Sequence, residues 1–196
     1  HLSIRRQRQM CIRDRDCGNI TIQGNVIKSV ISSGAGACIG GASNRSAGSI
    51  TISNAKLPPL NGTSLIGWIR GNTAGSLTIR NCYIESTDTA AGSGIQVSDN
   101  GNIRIENSEV KLPEKRDIRA GDGGSIVIRD STIHSNGIYM LGNLNEAKSL
   151  KRLEITGSTV VTAGNVIGAM GSRASVDEIV IHGSSLSPAE LSLIHI

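Results

Sequence analysis

Four side chains, Trp68, Gln96, Arg119 and Tyr139, carry the chemistry best suited to a ligand in a chain otherwise poor in reactive groups. The 196 residues include one Trp, two Tyr and no Phe. Two of these three aromatics stand in the set, with an amide and a guanidinium between them. Flat aromatic surfaces beside hydrogen-bonding groups suit sugar rings, which present an apolar face and a rim of hydroxyls. The bland alternative is that Trp68 covers an edge beside the Pro58-Pro59 loop.

A second set, Arg80, Glu106 and Arg129, has the charge for acid–base work. Glycosidic hydrolysis normally uses two carboxyl groups flanking the bond, and elimination needs a base of tuned pKa, often beside a cation held by several acids. This set offers one carboxylate and no Asp pair, so it reads first as a solvated charge ladder. His134 and His182 are too far apart in the pattern to share a metal. Asp88, Asp99, Asp117 and Asp122 fall in or near variable turns, where a segment such as Asp99-Asn100-Gly101 has the ligands for calcium, but Asp and Asn are favoured there for backbone reasons alone. No cofactor and no metal are expected, and Cys38 and Cys82 are expected to be small, partly buried side chains.

The elements that must position these residues come from one repeated pattern. An aliphatic-x-Ile triplet, one further residue, then an Asn, Asp or Gly and a small side chain recur seven times, beginning at Ile20, Ile50, Leu77, Ile103, Ile126, Leu153 and Ile179. A repeat period near twenty-six residues marks a solenoid. Gly, Ser, Thr and Asn fill the intervals, which disfavours helix. The two aliphatics share one face of a strand, so they stack inward while the residue between them faces out. Gly24, Asn54, Asn81, Asn107, Asp130, Gly157 and Gly183 follow, all types that tolerate a left-handed backbone, so a sharp corner is predicted at each. A small residue comes next. Then an aliphatic (Ile27, Leu57, Ile84, Val110, Ile133, Val160, Leu186) opens a second inward-facing strand.

A third short apolar segment closes each turn: Ala37-Cys38-Ile39, Gly67-Trp68-Ile69, Ile95-Gln96-Val97, Ile118-Arg119-Ala120, Ile138-Tyr139-Met140 and Val166-Ile167-Gly168. With Ile39, Ile69, Ile95, Ile118, Ile138 and Val166 inward, an outward column would run through Cys38, Trp68, Gln96, Arg119, Tyr139 and Ile167. Trp68 and Tyr139 would then stand three coils apart, about 14 Å. The fold expected is all-β, a parallel β-helix of about seven coils with three short strands per coil. Propeller blades would need longer repeats and antiparallel hairpins.

The I-x-I-x-N-S/C-x-I rung is similar to right-handed parallel β-helix proteins of the pectin-lyase-like type, and the resemblance runs from Ile20 to Leu186. The stretch from Cys17 to Ser53 resembles more narrowly the glycine-rich repeats of secreted or surface proteins of gut-type Gram-positive bacteria, some described as carbohydrate-binding. Later rungs lack its Gly-rich insert. The resemblance implies an extracellular or cell-surface setting and a polysaccharide or surface glycan as partner. It also raises an enzymatic alternative, because lyases and hydrolases of this fold work on the outward face of the first strand. On that face lie Thr21, Thr51, Thr78, Arg104, Val127, Glu154 and Val180, and, after the aliphatics, Gln23, Ser53, Arg80, Glu106, Arg129, Thr156 and His182.

Both ends of the chain read as translated sequencing adapter. Leu191 to Ile196 is what CTG TCT CTT ATA CAC ATC encodes, a transposase mosaic end, and Arg5 to Asp14 matches the same element with its primer tail in the opposite orientation. Residues 1–15 and 191–196 are therefore expected to lie outside a β-helix fragment spanning 16–190. The first fifteen residues hold five of the 20 basic and one of the 16 acidic side chains, leaving 15 of each. The formal charge of +4 then falls to zero, and no nucleic-acid partner is expected. No run of apolar residues is long enough for a membrane span. The sequence thus points to a non-catalytic carbohydrate-binding or adhesive fragment, with a lyase or hydrolase part, or a purely structural stalk, as alternatives. End-to-end self-association is expected where coil edges are left unpaired.

Overall fold

The computed structural model describes residues 18–25, 27, 30–31, 37–41, 48–62, 64–67, 75–87, 92–141, 148–164, 166–170 and 174–188. Both stretches read as adapter, 1–15 and 191–196, lie outside the described residues, as do Cys17 and Trp68.

The described residues form a parallel β-solenoid without helices. Its first sheet stacks seven strands: Ile20–Gln23, Ile50–Ser53, Ser76–Arg80, Asn102–Glu106, Ser125–Arg129, Arg152–Thr156 and Ile179–His182. The second sheet stacks five, from Tyr83–Glu85 to Ser185–Pro188, and the third stacks six, from Ala37–Gly40 to Ile167–Met170. The stack amounts to about five complete turns with partial ones at its ends. First-sheet register is unbroken, with Ile52, Ile79, Ile105, Ile128 and Ile155 paired coil to coil. All five are fully buried, as strand alternation requires. Leu57, Ile84, Val110, Ile133 and Val160 line the second sheet from inside, also buried.

All seven predicted corners adopt the left-handed conformation, with φ between 47° and 72°. Among the described residues, five of the positive-φ positions are Asn or Asp, whose short polar side chains tolerate that region. The serine after four of the corners has a second task. Ser108, Ser131, Ser158 and Ser184 each donate their hydroxyl to the carbonyl two residues back, at 2.6–3.0 Å. Each also accepts the backbone N–H of its counterpart one coil earlier, at 3.0–3.1 Å. A larger side chain would not fit this buried column, and an apolar one would leave a buried N–H without a partner. Cys82 continues the column, its thiol directed at the Arg80 carbonyl at 3.1 Å.

The third sheet departs from the expected register. Ile39, Ile66, Ile95, Ile118, Ile138 and Ile167 are the residues paired from coil to coil. Ile66 therefore occupies the place expected for Ile69, and Ile167 that expected for Val166. An irregularity at Asp117/Ile118 accommodates the additional Gly94. The next column is Gly40, Gly67, Gln96, Arg119, Tyr139 and Gly168. The glycine at 67 is required: φ is 112°, and a Cβ there would sit 1.8 Å from the Gln96 carbonyl oxygen. Trp68 is thus not the residue opposite Gln96.

Candidate functional site

Of the four sequence-derived candidates, Gln96, Arg119 and Tyr139 share one register column of the third sheet. Gly67 takes the position expected for Trp68. Gln96 is only 5 % exposed, and its amide oxygen accepts the Ser93 hydroxyl. Arg119 is half-buried and ion-paired with Asp117 in the same strand. Tyr139 follows Arg119 in register, but its side chain, like Trp68, lies outside the described residues.

Buried charge beside this column was not anticipated. Arg116 is fully buried, and its guanidinium donates to the carbonyls of Gly62 at 2.6 Å and Ser93 at 3.3 Å. Gly62 lies two coils back, so one side chain ties three coils together. Burial pushes the Asp117 carboxyl above its ordinary value, opposed by the Arg119 guanidinium. In the sequence, Pro113-Glu114-Lys115-Arg116 looks like a solvated turn; only the packed coils show where Arg116 goes.

On the outer face of the first sheet the expected column Gln23, Ser53, Arg80, Glu106, Arg129, Thr156, His182 is present in register. Its charges pair differently from a simple ladder. Glu106 accepts Arg104 from its own strand at 2.6 Å, with Arg80 at 3.7 Å. Arg129 turns instead to Glu154, which also accepts Arg152 at 2.9 Å. These hydrogen bonds, from Arg104 to Glu106 and from Arg129 to Glu154, lower both carboxyls below the ordinary glutamate range. A carboxyl held ionised in this way is a poor proton donor.

Asp99 and Asp122 serve the turns: Asp99 accepts the Asp122 N–H at 3.0 Å and Asp122 accepts the Ser149 N–H at 2.7 Å. Among the described residues no group of three His, Cys, Asp or Glu side chains is placed to hold a metal ion. Burial raises the Cys82 thiol above its ordinary value, so it is an inert rung of the corner column rather than a nucleophile.

A groove that the sequence reading missed runs along the corner between the first and second sheets. It has a volume of about 550 Å³, is open to solvent, and is lined by Asn25, Asn54, Ala55, Lys56, Asn81, Cys82, Tyr83 and Asn107. The corners create it. Each left-handed Asn sets its amide on the surface, and all four Asn side chains are exposed, with Asn81 Nδ2 donating to Asn54 Oδ1 at 2.9 Å. Tyr83, the one aromatic outside the sequence-derived set, opens the second strand and is half-buried. The ammonium groups of Lys56 and Lys111 lie 5.1 and 5.2 Å from its ring centroid, and its hydroxyl donates to Glu85 at 2.9 Å. The signal was available: Asn at three successive corners, Asn54, Asn81 and Asn107, plus an aromatic directly after Cys82.

Residues 66–187 match the family model described as "Right handed beta helix region". The chain belongs to this right-handed β-helix family. The match spans more than half of the chain and gives the handedness of the parallel solenoid described above. No curated protein and no solved structure matches the chain. The β-helix family name describes an architecture, and architecture alone assigns no ligand.

Proposed function

We propose that this β-helix is a non-catalytic carbohydrate-binding or adhesive module of a bacterial extracellular or cell-surface protein, and that the sugar chain lies along the corner groove. The observation that carries the proposal is the groove itself: a half-buried Tyr83 beside a row of exposed amides from Asn54, Asn81 and Asn107. Amides supply both donors and acceptors for sugar hydroxyls, and the Tyr83 ring holds the Lys56 and Lys111 ammonium groups beside them as further donors. Successive coils repeat the amides at strand spacing, which suits an extended polymer. The depressed carboxyls of Glu106 and Glu154 favour binding over hydrolysis on the first-sheet face.

A glycan array probed with the intact chain tests this. Binding to an extended polysaccharide is expected at millimolar to micromolar affinity, roughly −4 to −8 kcal/mol. Tyr83→Ala should remove most of it, and Asn81→Ala part. If Trp68→Ala abolishes binding while Tyr83→Ala does not, the ligand sits on the third-sheet face with Tyr139. If product is released from pectin-like substrates and truncating Arg80 or Glu106 stops it, the module is catalytic. Neither binding nor turnover across a broad panel would leave a structural stalk.

A further inference from the structure

Building on the corner groove as the sugar site, we infer that its ligand is an uncharged, extended polysaccharide seated at one sugar unit per coil, with Asp130 as the residue that ends the row. Asn54, Asn81 and Asn107 occupy the same corner of three successive coils, with φ of 51°, 53° and 49°. One ladder joins them, since their backbone N–H groups donate to the carbonyls of Arg80, Glu106 and Arg129 in turn. Stacked strands stand about 4.8 Å apart, close to the advance of one pyranose unit in an extended sugar chain, so each unit meets one amide. The amides are open to it. All three side chains are exposed, and among the described residues their one side-chain bond runs from Asn81 Nδ2 to Asn54 Oδ1. The NH2 groups of Asn54 and Asn107 and the amide oxygens of Asn81 and Asn107 are thus left for sugar hydroxyls.

The corner residues themselves bound the row. Past Asn107 the same corner holds Asp130, with φ of 47°, and then Gly157, which has no side chain. Asp130 leans along the row, for a Cβ on Gly157 would meet its Oδ1 at 2.6 Å. Before Asn54 the corner is Gly24, and the neighbouring Asn25 already gives its amide oxygen to the Lys56 N–H at 2.5 Å. Three amides therefore face three sugar units. Charge selects the class. Lys56 is the one charged residue lining the groove and stands at the Asn54 end. At the other end come two acids: Asp130, and Glu109, which lies two residues after Asn107, in register with Tyr83, and holds Lys111 at 2.7 Å. An acidic polymer carries a charge on every unit, so the end drawn to Lys56 would be offset by repulsion at Glu109 and Asp130. An uncharged chain meets no such penalty.

Chemical-shift titration of the isotope-labelled full chain, read at the Asn side-chain amides, tests this. The probes are linear β-linked gluco-, manno- and xylo-oligosaccharides from monosaccharide to hexasaccharide, and oligogalacturonates of the same lengths. For a neutral series that binds, affinity is expected to rise roughly fivefold per added unit, about one net hydrogen bond each, as far as the trisaccharide and then to level. Asp130→Asn extends the row of amides at a corner whose left-handed backbone Asn tolerates, so levelling should move to the tetrasaccharide. Asn107→Asp should bring it back to the disaccharide. Oligogalacturonates should bind more weakly than neutral chains of equal length, and Asp130→Asn should narrow that gap. Levelling that ignores both substitutions, or oligogalacturonates that bind the parent more tightly than every neutral series, overturns the inference and leaves the groove as the sugar site. If no probe shifts the amides of Asn54, Asn81 and Asn107, the groove reading itself fails, and the inference with it.

Discussion

The tripeptide Ile-Val-Ile occurs twice, at 126–128 and at 179–181, in the same position of the same repeat. In the inner coil both isoleucines are fully buried; in the last coil they are 44 % and 43 % exposed. Strand, sheet and alternation are the same. The difference is one neighbouring coil, because in a solenoid each rung is buried only by the rungs on either side of it. Local sequence makes the rung, and the stack makes the core.

The largest way to break this comparison is a charge in place of the second isoleucine. Ile128→Asp buries an uncompensated carboxylate and should cost at least about 3 kcal/mol, read as a large fall in the urea midpoint or loss of folding. Ile105→Asp should behave alike. The corner column gives a smaller contrast. Ser131→Ala removes the acceptor of the buried Ser108 N–H and should cost about 1–3 kcal/mol. Ser184→Ala, at a half-buried rung where water can replace the hydroxyl, should stay within about 0.5 kcal/mol.

The charges on the outer face give a pH contrast. Glu106 and Glu154 have folded values below the ordinary glutamate value, so their contribution is complete above that value and is lost as pH falls through the depressed folded values. Asp117, raised by burial, acts in the opposite sense: stability declines as pH rises from the ordinary aspartate value through its raised folded value. Glu154→Gln should flatten the acid limb of stability against pH, and Asp117→Asn should steepen it. The smallest effect belongs to the last coil. Ile181→Asp in a monomeric sample should change the urea midpoint little, while hydrogen exchange at Ile179–His182 should already be faster than at Ser125–Arg129 in the parent.

What the sequence determined by itself is what each residue decides with its near neighbours. The left-handed corners at Asn54, Asn81, Asn107 and Asp130 follow from side chains that tolerate positive φ, and the inward Ile pairs follow from strand alternation, so the first and second sheets were legible coil by coil. The third sheet was not. Ile66 and Ile69 are both apolar candidates for one inward position, no corner signal follows, and only the approach of Gly67 to the Gln96 backbone selects Ile66. Gln96 looked like a surface ligand because its partner Ser93 sits three residues away, an offset that strand alternation does not put on one face, whereas the Asp117–Arg119 pair, two residues apart on one strand, was open to that reading. The groove at Tyr83 and the clamp made by Arg116 belong to tertiary structure alone: each joins residues from several coils, and coils about twenty-six residues apart meet only when the stack has formed.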